Sequence, residues 1–284
     1  MKKLLSLVAL LVSLVLVACS NSTSSSKSEA QSNWDKIEKA GKLTVATSGT
    51  LYPQSYHDDN NKLTGYDVEI MKEVAKRLKL EVEFVEMGVD GMLSSLNSGQ
   101  VDVAGYSIEK DSKNAEKFLF TTSHKYSFGS MIVRQSDDSG ISKLEDLKGK
   151  KAAGAATTSY MKVAKKFGAE LVIYDNVTND VYLQDVANGR TDVILNDFYL
   201  QTMATKALPE IPVKVLENVY YNPSESNFAI KKGNTVLQEK INEQLEAMRK
   251  DGTLKKLSEK FFAGQDVSVE KDYDFEKIDV SDVE

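Results

Sequence analysis

The sequence is poor in the residues that hold metals and form disulfides. It has 284 residues with a single cysteine, Cys19, and two histidines, His57 and His124. Without a second cysteine no internal disulfide can form, and so few Cys and His side chains exclude a His/Cys metal site. We therefore expect neither a metal nor a cofactor.

An excess of basic residues is also lacking. Lys and Arg number 36 against 42 Asp and Glu, and the formal net charge is −6. Nucleic-acid binding needs a clustered basic surface, so we expect no nucleic-acid partner. With 41% hydrophobic and 27% charged residues, the composition is that of an ordinary globular protein, and we expect a monomer.

A membrane-spanning run is missing at the N-terminus, where a shorter apolar run follows Lys2 and Lys3. Residues 4–17 fall short of the roughly 18 to 20 apolar residues that cross a bilayer. The run ends in LVAC, residues 16–19, which resembles the lipobox of bacterial lipoproteins, where the cysteine is acylated and becomes the first mature residue. The alternative is an ordinary signal peptide with an incidental cysteine. We interpret residues 1–18 as a signal peptide, Cys19 as lipidated, and the Ser-rich stretch 19–33 as a flexible tether.

What the chain does contain is a regular alternation of strand and helix patterns, which begins at residue 42. The order β-α-β-α-β runs to about residue 107, and a similar order restarts at residue 149. The two halves share a phrase, NSGQVDVAGYS at 97–107 and NGRTDVILND at 188–197. The repeated order predicts two α/β lobes of similar architecture.

Two further segments have the pattern of a strand, residues 127–135 and residues 225–233. They flank the second unit, which predicts that the chain crosses between the lobes twice. We therefore expect lobe 1 to comprise residues 34–131 with 225–266, and lobe 2 to comprise residues 132–224. The acidic stretch 267–284 has few core-forming residues and is expected to be mobile or to lie on the surface.

Six phrases, in this order and spacing, resemble the polar-amino-acid family of extracytoplasmic solute-binding proteins that serve ABC importers. They are GKLTVATSGTLYP, NKLTGYDVEIMKEVAKRL, SLNSGQVDVAGYSI, ISKLEDLKGKKAAGAATTS, VANGRTDVILND and MRKDGTLKKLSEKFF.

The resemblance implies an α/β fold like that of type II periplasmic binding proteins: each lobe is a mostly parallel sheet flanked by helices, and two hinge strands join the lobes. It also implies an amino acid or similar small solute bound between the lobes and delivered to an ABC permease. The protein would then sit on the extracytoplasmic face of the membrane, held by its lipid anchor.

Asp197 ends a predicted buried strand, VILND. Ligands of open α/β sheets bind beyond the carboxyl ends of strands, and in the resembled family the carboxylate at this position receives the ligand's α-ammonium. Pairing with a cation offsets the cost of burying the acid. The alternative is that Asp197 caps the helix that starts at Phe198; it could do both in different states.

The phrase AATTS predicts a second ligand contact, at Ala156, Thr157 and Thr158. It joins a strand to a helix, and the N-terminus of a helix binds a carboxylate through its backbone N–H groups. Simple N-capping by a threonine explains the same phrase.

The resemblance places the contacts of the first lobe at a further set of positions. Gly105 would let a ligand approach the backbone, and Ser107 could donate a hydrogen bond. The family usually has an aromatic residue at the position of Leu51, where this chain has Leu51 beside an aromatic neighbour. The full set in this lobe is Leu51, Tyr52, Val89, Gly105, Tyr106 and Ser107.

The chain departs most from the family at Ser112, where the family has an arginine that grips the α-carboxylate in a two-pronged contact. Lys110 or Lys113 could substitute in part, or the helix terminus at Thr157 could hold the anion alone. A third alternative is a ligand with no free α-carboxylate there. Both lysines are also explained as a solvated helix face.

Two other functions fit the same scaffold. An exported dehydratase-like enzyme would need a positioned acid–base group, and neither histidine lies in a recognisable catalytic phrase. A surface interaction or sensory protein would explain the missing arginine. We expect a binding protein and not an enzyme.

Overall fold

The structure is a computed structural model that describes residues 28–108, 110, 112–174, 176–272 and 275–283. The predicted signal peptide and Cys19 lie outside these residues. So do the side chains of six residues in elements that are otherwise described: Asp90, Tyr106, Ser107, Ile108, Ser112 and Lys113. No helix in the described ranges has the length and apolar character needed to cross a membrane.

Strands and helices alternate along most of the described chain. The strands are β1 Lys42–Thr47, β2 Thr50–Leu51, β3 Ser55–His57, β4 Leu63–Thr64, β5 Glu81–Glu86, β6 Val103–Ile108, β7 Phe118–Phe120, β8 Lys125–Arg134, β9 Lys151–Gly154, β10 Glu170–Ile173, β11 Val193–Asp197, β12 Val213–Val215 and β13 Tyr221–Lys231. The α-helices are α1 Glu29–Ala40, α2 Tyr66–Arg77, α3 Val89–Ser98, α4 Ser112–Lys117, α5 Ser159–Lys166, α6 Asn179–Ala187, α7 Phe198–Ala207, α8 Thr235–Lys250 and α9 Thr253–Phe261.

The main sheet has the strand order β10-β9-β11-β8-β13-β6-β1-β5, with β12 on β8 and β7 on β13. In one half, β1 lies parallel to β5 and β6; in the other, β9 lies parallel to β10 and β11. The two long strands β8 and β13 join the halves and run antiparallel to each other. They correspond to the two predicted crossings, and the lobe boundaries given above stay a prediction.

The hinge strands exchange partners along their length. Lys125 to Ser127 of β8 pair with Ser226 to Ser224 of β13, and β8 then pairs with β11 from Gly129 to Val133. Beyond this shared stretch, strand β13 pairs with β6 and β7 of the first half. Each hinge strand therefore belongs to both halves, so a change of angle between them bends these two strands.

The phrase shared by the two halves has a structural cause. Asp102 precedes β6, and its carboxylate accepts a hydrogen bond from the backbone N–H of Thr44 in β1 (2.9 Å). Asp192 precedes β11 and accepts in the same way from the N–H of Lys151 in β9 (2.9 Å). Each carboxylate satisfies a backbone donor near the start of the neighbouring parallel strand. Strands β1 and β6 of the first half are therefore the structural equivalents of β9 and β11 of the second half.

Helix α2 illustrates how the sequence pattern sets the packing. Its apolar residues Ile70, Met71, Val74 and Ala75 form a stripe that is fully buried in the core of the first half. Acidic residues occupy its first turn and basic residues its last turn, which suits the helix dipole. Burial of this one face fixes the helix against the sheet.

The first helix begins within the stretch that was predicted to be a flexible tether. Ser28 caps α1 by accepting from the N–H of Gln31 (3.2 Å), and Ala30 and Trp34 are buried. The helix therefore includes residues 29–33, which were predicted to belong to the flexible tether. An Ala and a Trp spaced one helical turn apart can bury a face in spite of the polar residues between them.

The acidic C-terminal stretch packs against both halves. Val267 is buried in the core of the first half, and its carbonyl accepts from the N–H of Tyr126 (2.8 Å). Further along, Phe275 lies against Phe128 of β8 (ring centroids 4.8 Å apart), and Ile278 packs on the core of the second half. Most of the described residues in this stretch are exposed, as a superficial segment would be, but these apolar anchors, each isolated among polar or charged residues, were not expected.

We predict that Phe275→Ala loosens this segment. Removing a half-buried ring that contacts Phe128 and Tyr220 should lower the free energy of unfolding by about 1–3 kcal/mol. Thermal unfolding and limited proteolysis would measure the loss. Val269→Ala, at a position 52% exposed in the same segment, is the matched control and should change neither. Equal effects of the two substitutions would contradict the docking.

Candidate functional site

A cavity of about 420 Å³ lies where the carboxyl ends of β9 and β11 face the first half of the molecule. Ligands of open α/β sheets bind at this end of the strands. Six of the predicted site residues line it, three of them from the loop that follows β9: Leu51, Val89, Ala156, Thr157, Thr158 and Asp197. The structure thus brings together contacts from both halves.

Asp197 has two structural partners while it lines the cavity. Its Oδ1 accepts from the backbone N–H of Leu200 (3.0 Å), so it caps helix α7. Its Oδ2 forms an ion pair with the Nζ of Lys125. A carboxylate offers about four acceptor sites, so these two bonds leave capacity for a donor in the cavity.

Lys125 is a buried cation at the first position of hinge strand β8. It is 1% exposed, and Asp197 is 4% exposed. Removing either partner of such a pair would leave an uncompensated buried charge. Lys125 does not belong to the described cavity lining, so its ammonium group meets the carboxylate from within the protein.

The start of helix α5 forms the wall next to Asp197. Thr158 caps the helix: its Oγ1 accepts from the N–H of Met161 (3.3 Å) and donates to the carbonyl of Ala155 (3.1 Å). The capping interpretation of Thr158 is therefore correct for its side chain. Thr157 is exposed in the cavity wall, and the positive end of the helix dipole lies there.

The wall from the first half comes from the loop after β1 and from α3. Ser55 orders this loop: its Oγ accepts from Thr47 Oγ1 (2.6 Å) and from the N–H of Gly49 (3.0 Å). Leu51 and Val89 add apolar side chains to the cavity lining from this half.

Tyr52 lies outside this cavity. It lines a second one of about 530 Å³, with His57 and Glu86, that shares Thr50, Asn176, Asn179 and Ala204 with the first. The ring of Tyr52 packs edge-on against Tyr56 (centroids 4.8 Å apart). Tyr52 and the other first-half contacts therefore divide between two adjoining spaces.

Gly105 is buried in β6 and is not part of the described cavity lining. A Cβ at this position would lie 3.2 Å from ring atoms of Phe228, so the missing side chain makes room for that ring. The side chains of Tyr106, Ser107 and Ser112 lie outside the described residues, and their predicted contacts stay predictions.

Two lysines that the sequence did not point to line the cavity. Lys117, the last residue of α4, and Lys162 of α5 both face it, whereas Lys110 is exposed and absent from the described lining. The side chain of Lys113 lies outside the described residues. The lining acids are Asp197 and Glu225, and Glu225 accepts a hydrogen bond from Ser123. The described wall thus carries both signs of charge, as a zwitterionic guest requires.

Two hydrogen bonds close the cleft between the halves. Thr50 Oγ1 donates to Asn176 Oδ1 (2.9 Å), and Asn179 Nδ2 donates to the carbonyl of Tyr52 (3.3 Å). Asn176 adopts a left-handed conformation with φ of 50°, which asparagine tolerates better than most residues. The structure is therefore a closed arrangement of the two halves.

One tyrosine near the cavity has a shifted pKa. Burial and a hydrogen bond to Asp185 raise the pKa of Tyr174 to about 12, so this hydroxyl stays protonated and donates to the carboxylate. Its ring lies 5.0 Å from that of Tyr182, which lines the cavity. The interaction steadies the wall and supplies no titrating group near neutral pH.

The two histidines lie outside the cavity that Asp197 lines. His124 is fully buried, pairs with Asp67 (3.1 Å) and stacks on Phe228 (centroids 4.2 Å apart). His57 pairs with Glu86 (3.2 Å) beside the second cavity. Across the described ranges no group of three or more His, Cys, Asp and Glu side chains could hold a metal ion.

Sequence reasoning missed Lys125, Lys117, Glu225 and the two asparagines of the cleft. A lysine at the start of an apolar strand was the one available signal for Lys125, and lysines at strand ends are usually solvated. Asn176 and Asn179 lie in a loop and at a helix start, where asparagine is common for local reasons. Their partners are more than a hundred residues away, so no local pattern marks them.

Comparison with known proteins identifies relatives across most of the chain. The model for "Bacterial extracellular solute-binding proteins, family 3" matches residues 43–264. The probable ABC transporter extracellular-binding protein YckB of Bacillus subtilis is 54% identical over 273 residues, which cover 94% of this chain and 93% of YckB. The L-cystine-binding protein TcyA of the same organism is 37% identical over 279 residues, covering 94% of this chain and all of TcyA.

Solved structures agree with the fold. The crystal structure of YckB superposes with a TM-score of 0.71 at 57% identity, covering 87% of this chain and 99% of YckB. The ancestral amino acid-binding protein AncCDT-1, a precursor of cyclohexadienyl dehydratase, superposes with a TM-score of 0.72 at 29% identity, covering 81% and 99% of the two chains. The predicted two-lobed fold of type II binding proteins, with its mostly parallel sheets and two hinge strands, is confirmed.

Proposed function

The chain belongs to the bacterial extracellular solute-binding proteins of family 3, and we propose that it is a lipid-anchored receptor that captures an amino acid and delivers it to an ABC import permease. Family membership implies an extracytoplasmic location and an association with an ABC transporter. The relatives named above are binding proteins of this class. The lipid anchor, the ligand and the handover to a permease are the parts that we propose.

One observation carries the proposal: Asp197 and the N-terminus of helix α5 line the same closed cavity. A carboxylate binds an ammonium group through charge-assisted hydrogen bonds. A helix N-terminus attracts a carboxylate through its backbone N–H groups and the helix dipole. An α-amino acid carries both charges on one carbon, so it can satisfy both walls at once.

Two lysines of the cavity wall are candidates to replace the arginine that the family has at the position of Ser112. Lys117 and Lys162 provide positive charge on the two halves of the cavity, and we propose that they assist α5 in holding the ligand's carboxylate. A lysine gives a single point contact where arginine gives two parallel ones. The carboxylate is therefore held by several weaker donors.

The ligand's side chain would occupy the remaining space. The cavity of about 420 Å³ adjoins the second cavity of about 530 Å³, which gives room for a long side chain. TcyA is named for L-cystine, an extended amino acid with two charged ends. We propose a polar amino acid as the ligand and L-cystine as the first to test.

Binding would work by hinge closure. The ligand contacts one lobe in an open form and favours the closed form through its added contacts with the other. The hydrogen bonds of Asn176 and Asn179 to the first half add to the stability of that closed form. The hinge strands β8 and β13 provide the bend.

An enzyme or a surface interaction protein on this scaffold has less support. YckB is named as an ABC transporter binding protein and TcyA as an L-cystine-binding protein, although AncCDT-1 is a precursor of a dehydratase. Neither His57 nor His124 lines the cavity that holds Asp197. No observation favours turnover of the ligand.

We predict that Asp197→Asn weakens amino-acid binding. Asparagine retains the helix cap for Leu200 but removes the negative charge that pairs with the ligand's ammonium and with Lys125. The loss should be about 2–5 kcal/mol in binding free energy. Isothermal titration with L-cystine, L-arginine and L-glutamine would measure it, and circular dichroism would verify that the variant is folded.

Asp192→Asn provides a matched control. Asp192 directly precedes the strand that Asp197 ends, and it bonds the backbone of Lys151 instead of lining the cavity. This variant should retain the wild-type affinity. Unchanged affinity in Asp197→Asn, or an equal loss in both variants, would contradict the proposed role of Asp197.

We predict that Cys19 anchors the protein. The full chain expressed in a bacterial host should fractionate with membranes, because a cysteine with two or more acyl chains is held stably. Cys19→Ser should move it to the soluble fraction, whereas Ser20→Ala should not. Mass spectrometry of the N-terminal peptide would identify the acyl groups, and wild-type protein in the soluble fraction would contradict the anchor.

A further inference from the structure

The ion pair of Lys125 and Asp197 has a consequence for ligand choice as well as for stability. Asp197 faces the cavity, while Lys125 is 1% exposed and is absent from the described lining. The cavity-facing carboxylate therefore has the ammonium group of Lys125 on its protein side. Sequence resemblance assigned the carboxylate a role but assigned none to this lysine.

The lysine changes which guests the carboxylate attracts. Lys125 lies behind Asp197 as seen from the cavity, so it repels a guest's ammonium group and offsets part of the attraction by Asp197. In a zwitterionic guest the same lysine also attracts the carboxylate, which compensates for that repulsion, whereas a simple amine has no such compensation. The pair therefore discriminates against simple amines.

The positions of the other charges agree with this account. Lys117 and Lys162 line the cavity, and the positive end of α5 lies at Thr157. Among the described lining residues the acids are Asp197, already paired with Lys125, and Glu225, which accepts from Ser123. An amine without a carboxylate would enter surroundings in which the positive charges have no anionic guest group to offset them.

We propose that Lys125 is a specificity-determining residue, which makes the cleft select zwitterionic amino acids over the amines that lack the α-carboxylate. Lys125 acts through Asp197 and does not touch the ligand, so it is a positioning residue. The inference rests on the proposed function, because it assumes that Asp197 receives the ligand's ammonium group.

The test compares each amino acid with its decarboxylated amine. Titration calorimetry would give the affinities of L-cystine and cystamine, and of L-arginine and agmatine, for wild-type protein and for Lys125→Met. Methionine has a similar length and no charge. The preference for the amino acid should fall by about tenfold in this variant. Lys125→Arg, which keeps the charge, should retain most of the wild-type preference.

The ratio of the two affinities separates specificity from structure. A lysine that only stabilised the fold would change both affinities alike and leave their ratio unchanged, and that result would overturn the inference. If Lys125→Met does not fold, Lys125→Gln keeps a donor to Asp197 without the charge, and the same fall in the ratio is expected.

The outcomes also separate this inference from the proposed function. If the wild type binds neither amino acid of the panel nor its amine, the proposed function fails and the inference fails with it. If the wild type binds an amino acid and the neutral variants keep its preference over the amine, the proposed function stands and the inference alone is wrong.

Discussion

The buried ion pair of Asp197 with Lys125 is the interaction on which the cleft depends. It joins the end of β11 in the second half to the start of hinge strand β8, and Asp197 also caps helix α7. Both side chains have left water, so each charge needs the other. The pair thereby fixes the carboxylate of Asp197 in the wall of the proposed ligand site, where it links the helix cap, the hinge and the cavity.

The same region connects to the C-terminal segment. Phe128, three residues beyond Lys125 in β8, stacks on Phe198 (centroids 4.6 Å apart) and contacts Phe275. Val267 is anchored in the first core, and Ile278 packs on the second. The segment therefore spans both halves beside the hinge, and it lies beyond residue 264, where the match to the family ends. The stretch beyond the family match is therefore docked on the hinge strand β8 and on the cores of both halves.

Much of the fold could be predicted because its signals are local. The strand and helix order followed from periodicity, and the repeated Gly and Asp phrase reflects equivalent bonds of Asp102 and Asp192 in the two halves. The helix caps formed by Asp197 and Thr158 could be foreseen because strand ends and helix starts carry recognisable residues, whereas their roles as ligand contacts came from the family resemblance and stay predictions. The remaining features depend on contacts between distant residues or on isolated apolar residues in polar stretches. They are the partners of Asp197 and Asn176, the helical start at Glu29 and the docking of Phe275. Such contacts leave little trace in a local pattern.

The account makes one central claim: an amino acid lies in the closed cleft with its ammonium group on Asp197 and its carboxylate at the start of α5. A crystal structure of the protein grown with L-cystine, or with whichever amino acid of the titration panel binds, tests it directly. The account predicts a ligand nitrogen about 2.7–2.9 Å from a carboxylate oxygen of Asp197 and ligand carboxylate oxygens near the backbone N–H groups of Thr157 and Thr158. A bound amino acid that leaves Asp197 with Lys125 and Leu200 as its only partners would contradict it.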